Sequence, residues 1–199
     1  MSVKRGPRKA IVAPEASADA SESEAIRAFE KAFAAAAADG PTGVSNRAYF
    51  FQLAGREMSR ARRSARAASL LMLQVERLKD ASREKGREAA DAVLRAVAGA
   101  CASGIRDADI LGRIGPVRFA ILLPETTLPE AAGVAERLRT AVSSLRVELP
   151  GGRPAAVTTS IGISTAEGGD CDLGRLLARA EAALNKAGSG GSGSVVACR

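Results

Sequence analysis

The stretch Arg106-Asp-Ala-Asp-Ile-Leu-Gly-Arg-Ile-Gly-Pro-Val-Arg-Phe-Ala-Ile-Leu-Leu-Pro124 joins a charged turn, a short strand, a Gly-Pro turn and an apolar strand. Two strand-like runs either side of Gly115-Pro116 predict a hairpin, Asp109 to Ile114 against Arg118 to Leu123. On its N-terminal side, Ser69 to Glu76 is a continuous apolar run of strand length. A helix over Asn46 to about Ala68, with Arg56, Arg60 and Arg63 on one face, is predicted before that run, and a helix over Glu88 to Cys101 after it. On its C-terminal side, Pro129 to Leu145 is helical in pattern, Ala156 to Ser164 is β-branched and strand-like, and Leu173 to Ala187 is helical. A Gly-Ser run from Gly188 to Ser194 leads into a last strand, Val195 to Cys198. Helices alternating with strands, plus one hairpin, predict an α/β (α+β) fold with a mixed sheet and helices on its faces.

The remaining N-terminal residues divide by composition. Residues 1–20 mix Lys4, Arg5, Arg8 and Lys9 with glycine, proline and small residues, and bury too little to offset ordering entropy, so a flexible basic tail is expected. Ser21 and Glu24 make a capping box for one amphipathic helix over 21–38, in which Ile26, Phe29 and Phe33 recur at helical spacing. Its apolar stripe would pack on the domain or pair with a second copy, which leaves a homodimer open. Asp39-Gly40-Pro41 ends that helix, and one domain over 39–199 follows.

The chain has no histidine, which removes the commonest general base, the Ser-His and Cys-His nucleophile pairs and the usual zinc sites. Three scattered cysteines, Cys101, Cys171 and Cys198, make no disulfide framework and fit a reducing compartment. No apolar run approaches the ~20 residues that span a bilayer, and the start lacks a secretory signal, so a cytoplasmic chain without a membrane segment is expected. A formal charge of +7 favours polyanionic partners. Nucleic acid is not favoured among them, because no DNA-binding motif is present and aromatics for base stacking make up only 3% of residues.

Three ordered segments, with the hairpin between them, carry a resemblance to a known family. Asp39-Gly-Pro-Thr-Gly-Val-Ser-Asn-Arg47 resembles the Asp-x-Leu-Thr-Gly-Leu-x-Asn-Arg opening of GGDEF domains, which make cyclic di-GMP from two GTP molecules. Ala135-Glu-Arg-Leu-Arg139 is similar to that family's Ala-Glu-x-Leu-Arg helix, and Thr159-Ser-Ile-Gly-Ile163 to its Thr-x-Ser-Ile-Gly-Val strand. In the hairpin, Arg106, Asp109, Arg113, Gly115 and Phe119 stand at family positions. The resemblance implies a central five-stranded mixed sheet in the style of nucleotidyl cyclases and polymerase palms.

It also implies where chemistry would sit, and there the residues depart from the family. Two Mg²⁺ ions would lie between an aspartate on the first core strand and the acids of the signature turn; here these are Gln74, Val117 and Arg118, with Pro116 for the second glycine. Magnesium wants hard, preferably anionic oxygen. A fixed cation about 4 Å away opposes a unit charge by roughly 4 kcal/mol at an effective dielectric near 20. Of the family's guanine-reading pair, only Asp91 keeps a carboxylate and its partner is Ser82, while the phosphate-holding Lys and Arg become Gly188 and Ser192. The expectation is therefore no enzyme, no catalytic residue, no metal and no cofactor.

The family's inhibitory Arg-x-x-Asp pair, which binds cyclic di-GMP, corresponds to Arg106 and Asp109. A guanidinium fork matches guanine O6 and N7, and a carboxylate accepts from guanine N1–H and the 2-amino group. Arg137 falls where the family often adds a second arginine, and Arg60 would contact the same ligand from a neighbouring surface or a second protomer. The resemblance thus implies a non-enzymatic cyclic di-GMP receptor that signals to a partner protein. A ligand-independent adaptor that keeps the fold as a docking surface is the alternative.

Overall fold

A computed structural model of the chain describes residues 27–28, 32–76, 78–149, 154–167, 172–189 and 193–198. The chain divides into two compact units, Met1–Ala36 and Ala37–Arg199. In the first, residues 27–28 and 32–36 are helical and Phe33 is exposed. The expected basic tail and the Ser21–Glu24 capping box lie outside the described residues.

The second unit is built on β1 (Ala68–Glu76), nine residues long and buried along nearly its whole length. Alternate side chains of a strand point to opposite faces. Leu71, Leu73 and Val75 therefore enter one core and Leu70 and Met72 the other. The first core is closed by α2 (Leu78–Ser103), through Val93, Leu94 and Val97, and by α3 (Leu128–Ser143), through Ala135, Leu138 and Val142. The second is closed by α1 (Arg47–Ser64), through Phe50, Ala54 and Met58, and by α4 (Leu173–Ser189), through Leu176, Ala180 and Leu184.

β1 pairs antiparallel with β3 (Arg118–Pro124) on one side and with β6 (Thr158–Ala166) on the other. β2 (Ile110–Gly115) completes the hairpin at one edge, and β7 (Val195–Cys198) adds in parallel beyond β6. The resulting sheet has the order β2-β3-β1-β6-β7; it is mixed, as the alternation of elements predicts, and five-stranded, as the family resemblance implies. Two glycines allow close approach. A Cβ at Gly162 would run into the backbone of α4 at Ala180 and Leu184, and one at Gly112 would lie 2.6 Å from Phe50 Cβ.

Several boundaries differ from the sequence reading. α1 starts where Asn46 Oδ1 accepts the Tyr49 N–H at 3.0 Å, but it stops at Ser64 because Ala65 turns left-handed, at φ 51°. α2 begins at Leu78 rather than Glu88, and its two helical segments join at Gly86, whose φ of 79° breaks the helical path. α3 is capped at Thr127, whose N–H and Oγ1–H both reach Glu130 Oε2, and it ends at Ser143 rather than Leu145. The sequence reading missed a small ribbon of β4 (Arg146–Glu148) and β5 (Pro154–Ala156), and it placed β6 two residues early.

Candidate functional site

The turn between β2 and β3 is irregular: the pairing slips between Arg113 and Gly115. Arg113 stitches it down. Its Nε and Nη2 donate to the carbonyls of Gly115 and Pro116, at 3.3 and 2.7 Å, and its Nη1 to Asp39 Oδ2 at 3.0 Å. Burial works against the Asp39 carboxylate, but hydrogen bonds from Thr42 and Arg113 and the charge of Arg113 outweigh it, so its pKa falls below the usual carboxylate value. Arg47, at the start of α1, donates to Ile114 O at 2.8 Å and lies over the Phe51 ring.

These groups border a cleft of about 720 Å³ under the turn, whose walls also include Arg87, Ala90, Asp91, Leu94, Gly115, Pro116 and Val117. Of the positions at which the family resemblance places chemistry, Asp91, Gly115, Pro116 and Val117 share this cleft. The side chain of Ser82 lies outside the described residues, as does Ser192.

Gln74 and Arg118 are not among the residues that line it. They face each other across the β1–β3 pairing, where Arg118 Nε donates to Gln74 Oε1 at 3.1 Å. Arg118 Nη1 also ion-pairs with Glu181 Oε1 of α4 at 2.9 Å. Glu76, two residues from Gln74 on the same face, accepts a short hydrogen bond from Ser160 Oγ. A hydrocarbon side chain and a guanidinium offer no oxygen to a divalent cation, and the amide oxygen of Gln74 is taken by the cationic Arg118. Among the described residues no cluster of three metal-ligating side chains occurs.

A second cleft of about 400 Å³ opens at the far end of the hairpin. It is lined by Arg60, Arg106 and Asp109, together with Glu57, Leu122 and Glu125 among others. Arg106 and Asp109 form a tight turn in which Asp109 Oδ2 accepts the Arg106 N–H at 2.8 Å. That leaves the carboxylate's second oxygen and the Arg106 guanidinium for other partners. Arg60 pairs with Glu57 at 3.5 Å, and Arg66 pairs with Glu125. Arg137 does not line this cleft; its Nε and Nη2 donate to Gly104 O at 3.2 and 2.7 Å.

Sequence reasoning named Arg60, Arg106 and Asp109 and missed Glu57, Glu125 and Glu181. Glu57 had a signal, three residues before Arg60 on one helix. Glu181 had none, being 63 residues from Arg118. Among the described residues no helix is long and apolar enough to cross a membrane.

Comparison with known proteins gives this architecture a family. The family model described as diguanylate cyclase, GGDEF domain, matches residues 36–194. Diguanylate cyclase DgcP of Pseudomonas aeruginosa is 32% identical over 149 residues, which are 75% of this chain and 22% of DgcP, so the chain spans about a fifth of that relative. Among solved structures, diguanylate cyclase SiaD of Pseudomonas aeruginosa, in complex with its activator SiaC, superposes with a TM-score of 0.79 at 31% identity, over 91% of this chain and 69% of SiaD. The coiled coil and GGDEF domain of DgcB from Caulobacter crescentus, in complex with c-di-GMP, gives a TM-score of 0.84 at 26% identity, over 91% of this chain and 96% of that one. A family match over four-fifths of the chain, on the same five-stranded sheet, means that this protein belongs to the GGDEF domain family.

Proposed function

We propose that the chain is a non-catalytic GGDEF domain that receives cyclic di-GMP and passes the signal to a protein partner. The observation that carries the reading is that Arg60, Arg106 and Asp109 line one cleft, while Gln74, Val117 and Arg118 stand where the family resemblance calls for acids. Arg106 would fork onto guanine O6 and N7. Asp109 would accept from N1–H and the 2-amino group with the oxygen not used by the Arg106 backbone. DgcB supports the ligand class, having been solved with c-di-GMP. Arg137 would join this ligand through Nη1, or by leaving Gly104, which holds its Nε and Nη2.

Titration calorimetry tests the reading. Binding at micromolar cyclic di-GMP is expected, with at least a ~10-fold loss in Arg106→Ala and in Asp109→Ala, the size usual when a charged hydrogen-bond partner is removed. No heat from the unaltered protein rejects the receptor. Binding that both substitutions leave unchanged rejects the site. GTP with Mg²⁺ or Mn²⁺ is expected to give no cyclic di-GMP, and product above the blank overturns the reading of Gln74, Val117 and Arg118.

A ligand-independent adaptor is the second reading. It is favoured by the internal pairing of Arg60 with Glu57 and of Arg137 with Gly104, which occupies two of the four ligand groups without any nucleotide. SiaD, solved with its activator SiaC, is a relative that contacts a protein.

A further inference from the structure

The cleft under the β2–β3 turn has a chemistry of its own. Its walls are largely hydrocarbon: Pro41, Ala90, Leu94, Ile114, Pro116 and Val117. Among its described lining residues there are three guanidiniums, Arg47, Arg87 and Arg113, and two carboxylates, Asp39 and Asp91, an excess of one positive charge. Two of these charges are already spent on each other, since Arg113 and Asp39 form a half-buried pair and Arg113 gives its other donors to the turn. Arg47 gives one donor to Ile114 O and rests on Phe51. Arg87 and Asp91, one turn apart on α2, face each other by spacing, yet no ion pair joins them.

We infer that this cleft binds a small, flat, apolar molecule carrying a single anionic group, and binds it without a metal. Pockets of this size are lined mainly by apolar groups, with a few polar ones that fix orientation. Here the flat body lies against Leu94, Ile114, Pro116 and Val117, and the anion meets Arg87. Asp91 sets the limit of one negative charge, because a second would lie against its carboxylate. A cleft that relied on bridging cations would need acids where Val117 and Arg118 stand; this one meets an anion directly. The inference stands on the lining residues alone and holds whether or not cyclic di-GMP occupies the other cleft.

The test uses the full chain and anilinonaphthalene sulfonate, a bicyclic aromatic monoanion whose fluorescence rises in apolar surroundings, titrated in the presence of EDTA. One saturable site is expected, insensitive to added Mg²⁺. Arg87→Glu is expected to weaken it at least ~10-fold by reversing the anion's partner, and Val117→Asp by a similar factor. Phenylnaphthylamine, the same rings without the sulfonate, is expected to be indifferent to Arg87→Glu, and Arg106→Ala in the other cleft is expected to leave the sulfonate probe unaffected. Arg87 is exposed, so its substitution is compatible with folding, checked by an unchanged thermal melt. No saturable binding, binding that needs Mg²⁺, or binding that both Arg87→Glu and Val117→Asp leave unchanged overturns the inference.

Discussion

Arg118 and Gln74 are cross-strand partners, and the guanidinium that bonds the Gln74 amide at 3.1 Å reaches on to Glu181 of α4. One cationic side chain thus joins β1, β3 and α4 at the edge of the sheet's signature turn. Both ion-pair members are more than a third exposed, so water screens the attraction. Arg118→Ala is expected to cost under about 1 kcal/mol in urea denaturation. A loss of several kcal/mol would mean that this tie holds α4 in place.

The pair of Asp39 and Arg113 is better shielded, and it predicts a pH dependence. Because the folded protein holds the Asp39 pKa below its ordinary value of 3.8, the contribution is fully present above that value and is lost as pH falls through the lower, folded pKa. Denaturant melts between neutral pH and pH about 2 should therefore show an acid-side loss of stability that is smaller in Asp39→Asn. An identical acid limb in the variant would assign the loss to other carboxylates.

Cys101 is buried in the core on α2's apolar face, and burial pushes its thiol pKa up to about 12. A thiolate is the reactive form. With Cys171 and Cys198 replaced by serine, the remaining thiol should stay silent toward a disulfide reagent in native buffer and react at once in denaturant. Rapid labelling of the native variant would place this helix in frequent local opening.

Gly162 lies where α4 crosses β6 on backbone alone, with no side chain able to yield. Gly162→Ala is expected to destabilise by about 3 kcal/mol or more, beyond the usual cost of overpacking. Gly112→Ala meets Phe50 first at its Cβ, 2.6 Å away, which no rotation of the side chain moves, so α1 itself must shift and the cost should again reach about 3 kcal/mol. An unchanged melting temperature in either variant would contradict this account.

Glu57 competes with any anion for Arg60. If the second cleft takes cyclic di-GMP, Glu57→Gln should tighten binding about 2- to 5-fold, the worth of one exposed ion pair. Unchanged affinity would show that Arg60 stays outside the bound complex.

What the sequence revealed follows from how local each signal is. The hairpin announced itself because Gly115-Pro116 separates two strand-like runs, and β1 because seven of its nine residues are buried, on both faces, which leaves a largely apolar run. The end of α1 was not legible: the chain leaves the helix through an alanine in the left-handed region, where no glycine marks the turn. β4 and β5 are three residues each, too short for any alternation to register. At the second cleft, the family resemblance named Arg106 and Asp109 as a pair, but the bond of Arg137 to Gly104 depends on how α3 packs beside the end of α2. The link between Arg118 and Glu181 likewise exists only once the sheet and α4 are assembled.

One helix reaches both clefts. Arg47, at the start of α1, borders the cleft under the turn, and Glu57 and Arg60, near its end, border the other. Eighteen residues make a rod of about 27 Å. Phe50, Ala54 and Met58 seat its middle in close-packed core, which deforms little. Were such a rod to tilt about that seat, a movement at one mouth would be felt at the other, so the two clefts share a mechanical part though they share no side chain.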